Sequence, residues 1–176
     1  NQYFVTNQST LSLNAGMLTL EDGSSFRAPN LTTIGGTGGI SQLYISSGAT
    51  FVAEGVTTVS NIYFSNRDRV SFPLISNISG ATFENYGIYN HSSSTLTVNN
   101  STTWIENGTL STIGDNQTIT DIVVDGATLK FLNQTLAKSG KFNSIEIKSG
   151  GTLARADYSS SPTSYLNLEV QNLTVR

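Results

Sequence analysis

Apolar and polar residues alternate over short runs along this chain: Leu18-x-Leu20, Leu43-x-Ile45, Leu96-x-Val98 and Ile145-x-Ile147. A period of two is the mark of a β-strand with one covered face. Neither a heptad nor a 3.6-residue apolar stripe is sustained anywhere, so helix content is expected to be near zero. Two runs depart from the alternation. Ile122-Val123-Val124 is apolar throughout, as for a strand buried on both faces. Ile75-x-x-Ile78 is out of step and suggests a bulge.

A short recurring pattern follows each strand signal. It reads GSSF at 23–26, GATF at 48–51 and 80–83, STTW at 101–104, GATL at 126–129 and GGTL at 150–153. With the first residue as position zero, +1 is always small and +2 always a hydroxyl. Position +3 is always large and apolar: Phe26, Phe51, Phe83, Trp104, Leu129 and Leu153. Position +7 holds Asn30, Gly55, Gly87, Gly108, Asn133 and Asp157, all residue types that tolerate φ > 0. The zero positions are Gly23, Gly48, Gly80, Ser101, Gly126 and Gly150, unevenly spaced, with the widest interval between Gly48 and Gly80. The variable part therefore lies between units. The wide interval predicts a connecting loop holding Asn66-Arg67-Asp68-Arg69 and Phe72-Pro73, with Arg67 and Arg69 as a candidate partner-contact loop. The run Gly35-Gly36-Thr37-Gly38-Gly39 reads as a second, flexible loop. It lacks the Lys of a phosphate loop and the Asp of a calcium-binding repeat.

One such unit cannot close a core. Stacked units can, with each strand about 4.8 Å from its equivalent in the next coil. The expected fold is all-β: a parallel β-solenoid, a right-handed β-helix of about six to seven coils. The six residues at +3 should form one inward column, and aligned Thr and Asn should form ladders. A single domain spans 1–176, with an irregular first coil at 1–22, regular coils at 23–157 and terminal strands at 163–176. The partial copy at Tyr3-x-Val5 and Gln8-Ser9-Thr10-Leu11 lies too close to Gly23 for a whole coil. No capping helix is visible, so Tyr3 and Val5 at one end, and Leu173 and Val175 at the other, are candidate assembly residues.

Composition narrows the function. Of 176 residues only 12% are charged, the net charge is −3 and there is no Cys. That argues against nucleic-acid binding, disulfide scaffolds and Cys-ligated metal. No apolar run is long enough for a membrane-spanning helix, so no membrane insertion is expected. No signal peptide is present, though a mature chain would have lost one. Asn-x-Ser/Thr sequons begin at Asn7, Asn30, Asn77, Asn90, Asn99, Asn100, Asn107, Asn116, Asn133 and Asn172. They are candidate N-glycosylation sites on a secreted chain, with Asn99 and Asn100 not occupied together.

Catalytic chemistry is not suggested. The single histidine, His91, has no partner in sequence, and no Gly-x-Ser-x-Gly elbow exists. Asp115, Asp121 and Asp125 could meet across a coil with Lys130 or Arg155 as a basic partner, the pattern of polysaccharide-cleaving β-helices resembling pectate lyases. However, Asp22-Gly23 and Asp125-Gly126 are turn dipeptides in any case. No catalytic residue, metal ligand or cofactor is assigned. Tyr44, Tyr63, Tyr86, Tyr89, Tyr158 and Tyr165 could line a sugar-binding face.

The strand–SGAT/SGGT–strand units at 47–51, 79–83 and 149–153 resemble repeats in bacterial autotransporter passengers and related β-helical surface adhesins. The resemblance implies an extracellular stalk or adhesive rod without enzymatic activity. The leading expectation is a structural subunit or segment of a cell-surface filament, stalk or adhesin, stacking end to end on copies of itself or on neighbouring domains. The alternatives are a glycan- or host-binding module and a tailspike-like or lyase-like depolymerase.

Overall fold

Each short strand ends at a corner, and after three corners the chain lies back on the strand from which it started. The computed structural model describes residues 2–90, 95–106, 109–111, 119–131, 142–155 and 170–176. Among these, strands numbered in chain order form three sheets, and every pairing is parallel and in register. Sheet A stacks β1 (Gln2–Val5), β4 (Ser24–Arg27), β7 (Thr50–Val52), β10 (Arg69–Ser71), β13 (Ile88–Asn90) and β16 (Thr109–Ser111). Sheet B stacks β2 (Thr10–Leu13), β5 (Thr33–Gly36), β8 (Thr58–Ser60), β11 (Asn77–Ser79), β14 (Thr95–Asn99), β17 (Ile119–Asp125), β19 (Phe142–Ile147) and β21 (Val170–Val175). Sheet C stacks β3 (Met17–Leu20), β6 (Gln42–Ile45), β9 (Tyr63–Asn66), β12 (Thr82–Asn85), β15 (Thr103–Glu106), β18 (Thr128–Phe131) and β20 (Thr152–Arg155). The fold is the expected β-solenoid. Among the described residues the six strands of sheet A span about five turns, slightly short of the six to seven coils expected.

The repeated motif does not mark one corner. Phe26 and Phe51 are partners in sheet A, whereas Phe83, Trp104, Leu129 and Leu153 follow one another in sheet C. The expected single column is therefore two columns on different sides of the interior. All six side chains do face inward. Phe51, Phe83, Trp104 and Leu129 are fully buried, while Phe26 and Leu153 are half-buried against the same core. The wide interval from Gly48 to Gly80 is one turn plus two sides, with no inserted loop. Leaving Thr50, the chain closes a full turn within that interval and returns in register at Arg69. Asn66 and Phe72, placed by sequence in a loop, are both fully buried.

Aromatic rings from sheets A and C fill the middle coils. Phe51 meets Phe72 edge to face at 5.2 Å, Phe64 stacks on Phe83 at 4.7 Å, and Phe83 meets Trp104 at 5.4 Å. Sheet B lines the third side with Ile34, Val59, Ile78, Val98 and Val124, each stacked on the next and each buried. Val123, expected to be buried in a doubly covered strand, points outward and is half-exposed, because only one face of sheet B is covered.

The corners explain the small residues. Position zero carries the left-handed backbone: φ is 73° at Gly23, 81° at Gly48, 61° at Gly80, 60° at Ser101, 58° at Gly126 and 74° at Gly150. At position +7 the described residues, Asn30, Gly55 and Gly87, do not. Gly55 and Gly87 are small for another reason: an added Cβ would press on the backbone oxygens of the adjoining coil, from Leu31 and Asp68 respectively. Between sheets A and B the chain makes stacked β-turns. Leu31, Val56 and Ile75 donate their N–H groups to the carbonyls of Ala28, Ala53 and Phe72 at 3.2, 3.3 and 3.2 Å. Pro29 and Pro73 occupy the second position of such turns, where a fixed φ is favoured. Ile75 is thus a buried corner residue and not part of a bulge. Gly35 and Gly36, read as loop, belong to β5; Gly38 and Gly39 make the left-handed corner after it, at φ 66° and 81°. The first coil is complete: β1, β2 and β3 sit in register on β4, β5 and β6.

Close coil-to-coil approach and left-handed backbone should cost different amounts to disturb. A Cβ at Gly36 would overlap the Asn61 carbonyl oxygen and the Ser41 side chain, whereas one at Gly126 meets nothing within 4 Å. Gly36→Ala is expected to lose about 2–3 kcal/mol by overpacking, and Gly126→Ala only about 1 kcal/mol of left-handed strain. Denaturant unfolding of both variants checks this; equal losses would contradict the close approach.

Candidate functional site

Strict register turns the outside of sheet C into a grid of side chains. Rows lie about 4.8 Å apart and outward positions about 6.6 Å apart along each strand. Gln42, Tyr44 and Ser46 follow the β6 row; Tyr63, Ser65 and Arg67 the β9 row; Thr82, Glu84 and Tyr86 the β12 row. Two tyrosines thereby meet across a diagonal, with ring centres 5.4 Å apart. The Tyr63 hydroxyl donates to Glu84 Oε2 at 2.6 Å. The Arg67 guanidinium lies over the Tyr86 ring, 5.7 Å from its centre. Ser65 stands at the centre of the grid, 1% exposed, and its hydroxyl makes no hydrogen bond of normal geometry among the described residues. Burial, reinforced by the bond to Glu84, raises the Tyr63 phenol well above its ordinary 10.0, and the neighbouring Ser65 opposes this only weakly.

Behind this grid a polar ladder holds the corner leading to sheet A. Asn66 and Asn85 are register partners and wholly buried. Asn66 Nδ2 donates to Asn85 Oδ1 at 2.7 Å and to the Ile88 carbonyl at 3.0 Å, while its Oδ1 accepts the Asp68 N–H at 3.1 Å. Asp68 Oδ2 in turn accepts the Gly48 N–H at 2.5 Å. Asp68 is thus committed to the corner, and Arg67 and Arg69 extend into solvent on either side of it. The exposed arginine pair is where the sequence placed a contact loop, but it sits on a rigid strand–corner–strand.

Other sequence candidates disperse. Tyr89 is fully buried between Phe83 and Trp104, so it cannot touch a sugar. Asp121 and Asp125 stand near opposite ends of β17, about 13 Å apart in extended chain. Asp121 is occupied by Asn143 Nδ2 and Ser144 Oγ, both at 2.7 Å. Lys130 lies on sheet C, away from both. Asp121 and Asp125 are thus not brought together, and Asp115 lies outside the described residues. Among the described residues no three His, Cys, Asp or Glu side chains come together as a metal-holding group, and no helix is long and apolar enough to cross a membrane. His91, Asp115, Tyr158, Tyr165, Asn107, Asn116 and Asn133 lie outside the described residues, as does the Arg155 side chain.

Sheet B is chemically different. Its outward positions in the first five rows are Thr10 and Ser12, Thr33 and Gly35, Thr58 and Ser60, Asn77 and Ser79, then Thr95, Thr97 and Asn99. None is charged. Hydroxyl ladders run beside them: Thr32 donates to the Ser9 carbonyl at 2.9 Å, Thr57 to that of Thr32 and Ser76 to that of Thr57, both at 3.3 Å. Sequons fall on these surfaces. Asn7, Asn30 and Asn100 are exposed outside strands, Asn172 is exposed in β21, and Asn77 and Asn99 are half-buried in strands of sheet B. Asn90 ends β13.

The ends of the stack are apolar. Phe4 sits above Phe26 in the inward column of sheet A yet is 48% exposed; Leu173 sits on buried Ile145 yet is 57% exposed. Tyr3 and Val5 flank Phe4 on the outward side, and Val175 pairs with Ile147. A cleft of about 430 Å³ beneath the first coil is lined by Phe4, Leu18, Leu20, Phe26, Glu21 and Asp22 among others. Sequence reasoning named Tyr3 and Val5 and missed Phe4, whose parity with Phe26 was the available signal.

Comparison with protein-family models, with curated proteins and with solved structures returned no match.

The raised Tyr63 phenol carries a sign. A group held protonated in the folded chain contributes stability below its unfolded value and loses it as pH rises above that value. Melting temperature should therefore fall as pH rises beyond about 10, and Tyr63→Phe should flatten part of that fall. Thermal melts between about pH 9 and 11 check it; an identical decline in the variant would refute the assignment.

Proposed function

We propose that this chain is a stretch of an extracellular structural solenoid: a stiff spacer in a surface stalk, filament or adhesin, joined end to end to further coils of the same kind. The observation that carries the reading is the open state of the inward columns at both ends. Phe4 and Leu173 are core side chains by register and half-exposed by position. A parallel edge with unpaired N–H and C=O groups above an apolar column is complementary to another such edge, because the bonds and contacts would repeat those inside the stack. Sheets stacked in this way resist bending without disulfides. The resemblance of the SGAT/SGGT units to β-helical surface adhesins supports the same reading, as do low charge and abundant Ser, Thr and Asn.

Two measurements test it. In sedimentation velocity and negative-stain microscopy, the chain should form rods that lengthen with concentration. Phe4→Asp or Leu173→Asp should leave single-length particles of unchanged circular dichroism. A wild-type chain that stays at one size at high concentration would overturn end-to-end stacking. For the extracellular part, protein taken from its native surface should exceed the polypeptide mass by whole glycans, with Asn7, Asn30, Asn100 and Asn172 among the exposed sites. A mass equal to the bare chain would dispose of the glycoprotein reading.

A further inference from the structure

We infer that the outer grid of sheet C is a binding site for neutral carbohydrate, built from Tyr44, Tyr63, Glu84, Arg67 and Tyr86 around Ser65. This goes beyond the spacer reading and does not rest on it. Three observations converge on one place. The first is aromatic surface facing solvent. Tyr44 and Tyr63 are half-exposed with rings 5.4 Å apart, and Tyr86 extends the surface one row on. Such rings offer a flat apolar face with a wet rim, suited to the C–H face of a pyranose.

The second is unspent polar capacity at fixed positions. Glu84 uses Oε2 for the Tyr63 hydroxyl at 2.6 Å, and its other oxygen accepts nothing among the described residues. Arg67 is held over Tyr86 at 5.7 Å, and its side-chain N–H groups have no partner among the described residues. A carboxylate acceptor and a guanidinium donor, both anchored by aromatic neighbours, match vicinal sugar hydroxyls that each donate and accept. The third is Ser65, whose buried hydroxyl is left without a well-formed hydrogen bond beneath this rim. Leaving a buried hydroxyl without a partner is unfavourable, and a ligand reaching this rim could supply one. Beyond the grid the same outward column of sheet C continues as Thr103, Thr128 and Thr152, without aromatic surface.

The occupant follows from the charges. Glu84 faces outward within the grid, so an acidic sugar would set its carboxylate beside a like charge. A neutral oligosaccharide meets no such penalty. One further consequence of the grid is direction: ring positions climb the stack diagonally from Tyr44 to Tyr63, so an extended glycan would lie across the rod axis.

The test uses the whole chain against a panel of immobilised neutral and acidic oligosaccharides, with Thr128→Ala as the control on the same sheet. Wild type and Thr128→Ala should bind at least one neutral glycan equally. Tyr44→Ala should weaken that binding at least tenfold, and Glu84→Gln and Arg67→Ala should each weaken it several-fold, all with unchanged circular dichroism. Ring resonances of Tyr44 and Tyr63 should shift on titration of the bound glycan. Absence of neutral-glycan binding, or binding that survives both Tyr44→Ala and Glu84→Gln, would overturn the inference. So would binding confined to acidic glycans and lost only with Arg67→Ala.

Discussion

In-register parallel stacking governs this molecule. Each backbone hydrogen bond between coils points along the stack, so a residue lies directly on its equivalent one turn away. Side chains must then tolerate their own kind at about 4.8 Å. Apolar columns meet that condition by packing, and Ser, Thr and Asn meet it by laddering; charges do not. The sparse charge of the chain and its abundance of hydroxyls follow from that single condition. So does the need for small residues at corners, where two coils approach more closely than a Cβ permits at Gly36, Gly55 and Gly87.

The interior shows how unequal coils share one stack. The turn from Thr50 to Arg69 is shorter than the turn from Ser25 to Thr50, yet both end in register. The difference is absorbed between strands, and the strands keep their partners. Within the shorter turns the cavity is filled by Phe64, Phe72, Phe83, Tyr89 and Trp104, whose rings cross from sheet A to sheet C. Large rings contribute more burial per residue than aliphatic side chains, which suits a coil made of fewer residues.

Fold class, strand parity and the inward direction of all six repeated large residues were legible in the sequence, because period-two alternation and stacking of like on like are local signals. The register of one coil on the next was not legible. GATF at 48–51 and GATF at 80–83 are identical, yet the first opens a strand of sheet A and the second a strand of sheet C. Nothing within the motif itself tells one corner from the next. That ambiguity turned a turn plus two sides into an apparent loop and joined two columns into one. The outer grid was lost with it: Tyr63 and Glu84 are distant in sequence, and only the short turn that sets Thr82 on Tyr63 brings them together. The tyrosines were recognisable as a set, but Tyr89 belongs to the core and Tyr44, Tyr63 and Tyr86 to the surface, a split that parity within each strand decides.

The two-corner placement of one motif bears on how such a chain can change length. Genetic exchange between identical segments adds or removes what lies between them. Crossing over at the two GATF copies would excise one complete turn together with two sides. Everything beyond the junction would then be rotated by about a third of a revolution, since three sheets make up the circumference. Surface features past that point would face a new direction while the interior still closed. Exchange between copies that share a corner, as at Gly23 and Gly48, would shorten the rod and leave its facing unchanged.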